Sequence, residues 1–457
     1  MSSLQMSFKN ARRALSVIGQ EQALRTRLFA VSHLLAGNFG AAGLSLLTTA
    51  FAARTLGPAA YGTLALVTVY VQTIERLLSF QTWQPLIRYG AEAERAQDSA
   101  DFRTIVKFAF LLDLSTAVGG FALAVTLALM GQSLFGWSEE ISRYAVVYAA
   151  TLLIAINGTP VGVLRLAGRF RAVAYVQVVT MSLRVVLSAL GYLLGWPLMA
   201  FVLIWASTQA LGAVLLLAAA GRELAARQCL GFLREPMVGL RQRFPGIWRF
   251  SLVANFGLTL RASSQQVDVL LVGAIIGPAA AGFYHIAKRV AKFAEQAGGQ
   301  LQVVVFPELA RLWAAGERAA FRRAVVQSEI LIAAACVLGV GFVLVVAEPA
   351  IVLFAGNSFA PAGSLLKVQI VAIALFLCGT IARSGLLALG RETEIFWISL
   401  AGAGVFFAAA PLLLPRMGAM GANVAHVLQG LVWLISLSAA FLLALRRTER
   451  AAGPGPG

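Results

Sequence analysis

The chain has 457 residues, of which 59% are hydrophobic and only 12% are charged, whereas a soluble domain carries about 25% charged residues. A chain this apolar cannot hide its hydrophobic surface in a water-soluble core, so the composition excludes a soluble protein. The net charge of +17 does not indicate a nucleic-acid partner, because the basic residues form no continuous stripe with interleaved aromatic residues. We therefore predict an all-α polytopic membrane protein.

The hydropathy pattern predicts about 12 transmembrane helices, because each spanning helix needs about 20 mostly apolar residues. The first six predicted segments are 29–53, 62–87, 104–130, 142–163, 172–195 and 198–220. The second six are 249–275, 281–306, 322–347, 364–388, 393–414 and 421–445. In the fourth segment, Asn157, Gly158 and Pro160 predict a kink.

These segments divide the chain into five parts. We predict a basic cytoplasmic N-terminus (1–28), an N-terminal six-helix lobe (29–220), a cytoplasmic linker (221–248), a C-terminal six-helix lobe (249–445) and a disordered cytoplasmic tail (446–457). The linker is rich in arginine and is expected to form an amphipathic stretch at the membrane surface.

The two halves of the chain repeat one pattern. The first half contains Asn38-Phe39-Gly40, Gly57-Pro58-Ala59-Ala60, Gly62, Glu75 and Pro85. The second half contains Asn255-Phe256-Gly257, Gly277-Pro278-Ala279-Ala280, Gly282, Glu295 and Pro307. With six spans in each half, both halves enter the membrane in the same direction, which predicts a parallel repeat around a central cavity. The two Gly-Pro pairs predict tight turns between paired helices.

Basic residues in the predicted loops orient the chain in the membrane. Most of them lie on the side that holds both termini and the linker, and the opposite side holds only Arg54, Arg143, Lys367 and Arg416. Cytoplasmic loops carry an excess of Lys and Arg, so both termini are predicted to be cytoplasmic.

Charged residues also lie within the predicted spans, where each costs roughly 2.5–3.5 kcal/mol on insertion scales. The basic ones are Arg76, Arg184, Arg261, Lys288, Arg289, Lys292 and Arg383, and the acidic ones are Glu75, Asp113, Asp268 and Glu295. Such side chains must face a wet cavity, form ion pairs, or lie close enough to a helix end to reach the interface.

Helical spacing shows which of these charges share a face. Lys288, Lys292 and Glu295 lie on one side of the eighth helix, and Arg261 and Asp268 belong to a polar stripe on the seventh. We predict that a cationic central cavity binds an anionic ligand through Arg76, Arg261, Lys288, Arg289 and Lys292. We assign Glu75, Asp268 and Glu295 as ion-coupling groups or charge partners.

Other interpretations of these charges are open. Glu75 and Arg76 can be local partners, and Glu295 can serve only to neutralise Lys292. Arg184 can form a structural pair with Asp113. Arg383, near a helix end, can reach the interface by itself.

No motif indicates a cofactor, a metal or a catalytic group. Cys229, Cys336 and Cys378 are far apart in sequence, and His33, His285 and His426 are scattered. Nucleotide-binding loops, nucleophile elbows and zinc-ligand spacings are missing from the sequence. A transporter of this kind would use an ion gradient, the membrane potential or a substrate gradient.

Three stretches carry a family resemblance: 51–66 (FAARTLGPAAYGTLAL), 270–290 (LLVGAIIGPAAAGFYHIAKRV) and 303–313 (VVVFPELARLW). They resemble the Wzx-type O-antigen and exopolysaccharide flippases of the multidrug/oligosaccharidyl-lipid/polysaccharide exporter superfamily. This resemblance implies two six-helix lobes in a V shape, in the inner membrane of a bacterium. It further implies alternating access that carries undecaprenyl-pyrophosphate-linked oligosaccharide to the periplasmic leaflet for polysaccharide or lipopolysaccharide synthesis.

The implied partners are this lipid-linked oligosaccharide, the bilayer, and polysaccharide polymerase or assembly proteins. The sequence leaves the oligomeric state open, and a monomer is taken as the default. Two other functions are considered. A drug/cation antiporter of the same superfamily should have an acidic or aromatic cavity. A membrane polysaccharide polymerase or ligase should have a large outer loop with catalytic Arg or His, whereas the predicted outer loops here are short.

Overall fold

The computed structural model describes residues 40, 42–249, 251 and 266–451, without the side chains of 297–304 and 448–451. The secondary structure of this part is entirely helical, which confirms the all-α prediction. The predicted N-terminus (1–28), Arg261 and the last six residues of the tail lie outside the described residues.

The N-terminal lobe contains eight described helices. They are α1 (42–78), α2 (Trp83–Arg95), α3 (Ser99–Leu129), α4 (Gly131–Phe135), α5 (Glu139–Ala149), α6 (Gly158–Leu166), α7 (Phe170–Leu194) and α8 (Leu198–Ala226). A short helix in the linker, α9, covers Leu240–Arg243.

The C-terminal lobe contains six described helices. They are α10 (Val267–Ile275), α11 (Pro278–Ala314), α12 (Arg318–Ala355), α13 (Pro361–Ala388), α14 (Glu392–Met417) and α15 (Ala419–Ala451). Helix α15 extends past the predicted boundary at 445, so the tail predicted to be disordered from 446 is helical as far as Ala451. Arg446 and Arg447 favour this extension, because cations in the last turns complement the helix dipole.

Eight helical runs in the described part are long and apolar enough to cross a bilayer. Helices α1, α10 and α11 are not among these eight runs, and α11 is less apolar because Lys288, Arg289, Lys292 and Glu295 lie within it. The predicted segments 172–195 and 198–220 correspond to α7 and α8, whereas the predicted segment 62–87 is interrupted at residues 79–82, between α1 and α2. The kink predicted near Pro160 is a break between α5 and α6, formed by a 3-10 turn at Ala150–Ile154 and the non-helical residues 155–157.

The two predicted Gly-Pro turns are present. Gly57 adopts a left-handed φ of +69° and Gly277 a φ of +121°, a region that favours glycine. The side chains of Thr49 and Tyr61, on either side of Gly57, lie in hydrogen-bonding range, although a continuous helix would separate them by about 18 Å. The chain therefore reverses direction within α1. We call this end of the molecule the Gly57 end, and the opposite end the linker end.

The linker packs against the N-terminal lobe. Its Leu240 and Phe244 share a buried core with α3 and α8, and Arg243 pairs with Asp101. Burial raises the pKa of the Cys229 thiol, which keeps it protonated and apolar in this core. On the other side of the linker, Leu230, Leu233 and Val238 are exposed. This two-sided arrangement is the amphipathic one expected for a segment at the membrane surface.

The lobes meet backbone to backbone at the Gly57 end. A Cβ on Gly62 would overlap the carbonyl oxygen of Pro278, and one on Gly282 would overlap that of Pro58. These residues are equivalent in the two halves of the repeat, so each lobe offers the same contact to the other. A reciprocal contact of this kind lies on a two-fold axis, here between Gly62 and Gly282. Small residues permit this approach, which brings van der Waals packing between the helix backbones.

Three hydrophobic cores lie in the described part. The largest contains residues of both lobes, such as Leu66 and Tyr284. At the linker end, one core belongs to the N-terminal lobe and the linker, and another belongs to the C-terminal lobe. Among the described residues, the two lobes therefore share a core only toward the Gly57 end.

Candidate functional site

A buried carboxylate joins three helices of the C-terminal lobe. Asp268 is 0% exposed, and its carboxylate lies 2.5 Å from Lys288 Nζ and 2.9 Å from His426 Nε2. The hydroxyl of Tyr284 donates to Asp268 Oδ2 at 2.8 Å. We call Asp268, Tyr284, Lys288 and His426 the Asp268 cluster.

Local sequence explains how these side chains are placed. Asp268 lies in the first turn of α10, where the helix dipole favours a carboxylate, and it accepts the Val269 N–H at 2.7 Å. Tyr284 and Lys288 are four residues apart and therefore share a face of α11. His426 comes from α15, where its ring stacks on Phe406 of α14 with centroids 4.4 Å apart.

The structure places Lys288 in an ion pair. It was predicted to be a cavity cation that binds an anionic ligand, and its ammonium group pairs with Asp268. Asp268 is the charge partner of Lys288, and with its four donors it is fully engaged. The cluster fixes α10, α11 and α15 relative to one another.

Four other cations approach one another from both lobes. Arg289 of α11 lies in electrostatic range of Arg184 of α7, and Lys292 lies in range of Arg76 of α1. At 1.5 Å per residue, Arg289 is about 18 Å along α11 from Gly277, close to the middle of a ~30 Å hydrocarbon core. We call Arg76, Arg184, Arg289 and Lys292 the inter-lobe cations.

Two of the inter-lobe cations, Arg289 and Lys292, carry charge that no carboxylate within salt-bridge distance neutralises among the described residues. Nε of Arg289 is buried and has no hydrogen-bond partner among the described residues. Lys292 and Arg76 are exposed, and within the described part neither Arg289 nor Lys292 forms a salt bridge. Positive charge therefore accumulates between the lobes, where an anion would relieve the repulsion.

The two predicted acidic residues near these cations, Glu295 and Glu75, belong to different lobes. Glu295 follows Lys292 by three residues and is in electrostatic range of it. Glu75 is near Arg76, and the side chain of Asn157 lies in hydrogen-bonding range of it. Each acid sits beside one cation, as the local-partner interpretation describes.

The alternative pair of Arg184 with Asp113 is wrong. Arg184 Nε donates to Thr208 Oγ1 at 2.7 Å, and its guanidinium lies 5.6 Å from the Trp205 ring centroid. Asp113 instead accepts from Thr82 and Thr159, as part of a separate buried contact. Helix α7, which bears Arg184, packs on α8 rather than on α3. This packing leaves Arg184 among the inter-lobe cations.

Sequence reasoning missed two histidines. Nδ1 of His285 lies 2.7 Å from the hydroxyl of Tyr61, a hydrogen bond that joins the two lobes. His426 belongs to the Asp268 cluster, 158 residues from Asp268 in the chain. Their position inside apolar helices could have identified these histidines, because a buried polar side chain needs a partner. His285 is three residues from Lys288, which places it on the charged face of α11.

The geometry of the inter-lobe cations is suited to binding an anion. Guanidinium and ammonium groups hold phosphate oxygens through charge-assisted hydrogen bonds. The inter-lobe cations come from both lobes, so an anion bound among them would be sensitive to relative movement of the lobes.

Comparisons with known proteins agree with the fold. The sequence model of a family described as "Polysaccharide biosynthesis protein" matches residues 51–363. The chain is 28% identical over 294 residues to the inner membrane protein YghQ of Escherichia coli K12, a match that covers 64% of this chain and 82% of that protein.

Solved structures of low sequence identity share the fold. An inward-facing multidrug resistance MATE family transporter of the MOP superfamily superimposes with a TM-score of 0.73 at 14% identity, covering 90% of this chain and 96% of the transporter. The lipid II flippase MurJ, in an inward closed conformation, gives a TM-score of 0.68 at 11% identity, and the match covers 90% of this chain and 89% of the MurJ chain. An outward-facing MATE transporter gives a TM-score of 0.57 at 15% identity, and the match covers 91% of this chain and 95% of the transporter.

Proposed function

We propose that this chain, which belongs to the family described as "Polysaccharide biosynthesis protein", is a flippase of the MOP superfamily and that its cargo is a lipid-linked oligosaccharide. It moves undecaprenyl-pyrophosphate-linked oligosaccharide from the cytoplasmic to the periplasmic leaflet of a bacterial inner membrane. The product serves O-antigen or exopolysaccharide synthesis. We further propose that the linker end faces the cytoplasm, the side on which both termini are predicted to lie.

The observation that carries this proposal is the meeting of the inter-lobe cations. A pyrophosphate cannot enter hydrocarbon without a compensating environment, because moving an isolated charge there is prohibitive. Arg76 and Arg184 of one lobe, with Arg289 and Lys292 of the other, offer such an environment between the lobes. The polyprenyl tail can remain in the bilayer while the head group crosses.

The conformation fits a protein that is waiting for cytoplasmic cargo. The lobes are closed at the Gly57 end through Gly62 and Gly282, and their cores separate toward the linker end. The superposition is better on the inward-facing MATE transporter than on the outward-facing one. We infer that this is the inward-facing state of an alternating-access cycle.

A drug/cation antiporter is the second candidate. Its cargo would need free carboxylates or an aromatic cage, but Asp268 is held by Lys288 and Asp113 by threonines. In this chain the inter-lobe cations lie between the lobes instead. A polymerase or ligase would need catalytic groups, whereas the transporter-like fold and the inter-lobe cations support binding and transport. The charge of the lining therefore favours an anionic cargo.

A reconstituted assay tests the proposal. The full chain would be placed in liposomes with undecaprenyl-pyrophosphate-linked oligosaccharide, and transport followed by the exposure of glycan to a lectin on one side. Lys292→Gln and Arg289→Gln should each slow transport about tenfold or more, since a hydrogen bond to a charged group contributes roughly 1.5–3 kcal/mol. Arg143→Gln removes an exposed cation at the Gly57 end and should leave the rate unchanged.

Two results would refute this cargo. One is equal transport by Lys292→Gln and Arg143→Gln. The other is transport of organic cations but not of lipid-linked glycan, which would assign the chain to the antiporter function. In cells, loss of the protein should trap lipid-linked oligosaccharide on the cytoplasmic leaflet.

A further inference from the structure

A groove on the membrane face of the C-terminal lobe lies away from the inter-lobe cations. It lies between α14 and α15 toward the linker end and has a volume of about 480 Å³. On α15 its floor is made of small side chains, Ser436, Ala439 and Ala440. Trp397 of α14 stands at its edge and is 59% exposed. Since both helices cross the membrane, hydrocarbon rather than water must fill this groove.

The linker end of the groove is charged. Arg447 lines it and is exposed, whereas the carboxylate of Glu394 is held by Arg391 at 2.8 Å. With Glu394 paired, Arg447 gives the groove entrance a net positive charge. Trp397 lies at the same end, and tryptophan is enriched at the level of lipid head groups.

The length of the groove matches one leaflet. Ser436 and Arg447 are about 16 Å apart along α15 at 1.5 Å per residue, and half of a ~30 Å hydrocarbon core is about 15 Å. An acyl chain that begins at the level of Arg447 would thus end near Ser436. Basic pockets between transmembrane helices on the cytoplasmic side bind anionic lipid head groups.

We propose that the α14–α15 groove binds an anionic glycerophospholipid, with one acyl chain along Ser436, Ala439 and Ala440 and the phosphate on Arg447. The site is separate from the inter-lobe cations, because Arg447 lies at the linker end of α15 and Arg289 lies near mid-membrane on α11. A bound lipid would connect the last two helices of the lobe at the membrane surface. This inference does not depend on which cargo the protein carries.

Native mass spectrometry of the purified full chain tests this site. The protein would be equilibrated in mild detergent with equal amounts of phosphatidylglycerol and phosphatidylethanolamine, and the retained lipids counted. The unchanged chain should retain phosphatidylglycerol preferentially. Arg447→Gln should lower that retention about fivefold, since one basic residue near the surface contributes about 1 kcal/mol.

Matched variants separate the site from general surface charge. Arg446→Gln, one residue away, should retain phosphatidylglycerol like the unchanged chain, and Arg447→Lys should keep most of it. Ala439→Leu fills the groove at an exposed position and should reduce retention of both lipids. Thermal unfolding in detergent shows that each variant is folded.

Three outcomes would overturn the proposal. The first is equal loss of phosphatidylglycerol in Arg447→Gln and Arg446→Gln, which would indicate nonspecific attraction. The second is full retention by Ala439→Leu. The third is displacement of phosphatidylglycerol by undecaprenyl phosphate at equal concentration, which would assign the groove to a polyprenyl tail. None of these affects the transport test, because Lys292 and Arg289 lie outside the groove.

Discussion

Asp268 shows how one residue can organise half of this membrane protein. A buried carboxylate is tolerated only when it is paired and its remaining lone pairs are satisfied. Lys288, Tyr284, His426 and the Val269 N–H meet that condition from three helices. The arrangement gives α10, α11 and α15 a single relative position, which suits a lobe that moves as a unit.

Removing the carboxylate should be costly. Asp268→Asn removes the carboxylate that neutralises the Lys288 ammonium, and breaking a buried pair in this way costs about 3–5 kcal/mol. The thermal unfolding midpoint of the purified chain in detergent should fall accordingly. Glu139→Gln, which breaks an exposed pair with Arg143, should not move the midpoint measurably.

A double variant distinguishes loss of pairing from loss of packing. Asp268→Asn combined with Lys288→Met removes both charges, so it should be more stable than Asp268→Asn alone. If the double variant is instead less stable than the single one, the charge of Lys288 is not what makes Asp268 necessary.

At the candidate site, spacing along single helices could be predicted and contacts between helices could not. The sequence placed Lys288 and Lys292 on one face of α11, because residues four apart share a helix face. Which of the neighbouring cations meets Asp268 depends on how α10 packs against α11. His426 joins from 158 residues away, and no local pattern reports such a contact.

Among the elements, the break between α5 and α6 is held by a side chain from α3. Both the N–H and the hydroxyl of Thr159, in the first turn of α6, donate to Asp113 Oδ2, at 2.7 and 2.8 Å. The hydroxyl of Thr82 donates to Asp113 Oδ1 at 2.5 Å. Asp113 thus caps α6 from another helix, a favourable position for a carboxylate. Asn157, Gly158 and Pro160 predicted the kink, but a cap from a distant segment leaves no trace in local sequence.

Gly158 should be intolerant of a side chain. A Cβ there would overlap Thr82 Oγ1 and lie 3.0 Å from Asp113 Oδ1, so Gly158→Ala must displace the Thr82 hydroxyl that donates to the capping carboxylate. Such overpacking costs typically about 1–3 kcal/mol, which should appear as a lower unfolding midpoint. Gly119→Ala in α3 meets nothing within 4 Å among the described residues and should not lower the midpoint. Equal behaviour of the two variants would show that α6 does not need this cap.

At the scale of the whole molecule, the duplication in sequence becomes a contact between its two copies. Gly62 and Gly282 were visible as repeated residues, but hydropathy does not report which helices meet across the lobes. Equivalent residues near a two-fold axis approach each other, so a repeated glycine in paired helices marks the axis. Tyr61 and His285 lie beside this contact, and Arg54 donates to the carbonyl of Phe354 at the end of α12. Together they close the Gly57 end.

Gly62→Ala should open that end. Its Cβ would overlap the Pro278 carbonyl oxygen, a backbone atom that cannot move aside like a flexible side chain. A penalty of about 1–3 kcal/mol on the closed state changes the ratio of two conformations by roughly 5–150-fold. Spin labels at Ser133→Cys and Ser364→Cys, on opposite lobes at the Gly57 end, should then report longer distances. Native cysteines would be replaced by alanine in this background.

Gly404→Ala provides the matched control for this experiment. Gly404 lies in α14, and a Cβ there would meet nothing within 4 Å in the described part of the chain. Its label distances should equal those of the unchanged background, while Gly62→Ala should lengthen them and slow transport from the cytoplasmic side. If Gly62→Ala and Gly404→Ala give the same distances, the glycine contact is not what holds the lobes together. The closure would then rest on Tyr61, His285 and Arg54, whose replacement by phenylalanine, alanine and glutamine would become the next test.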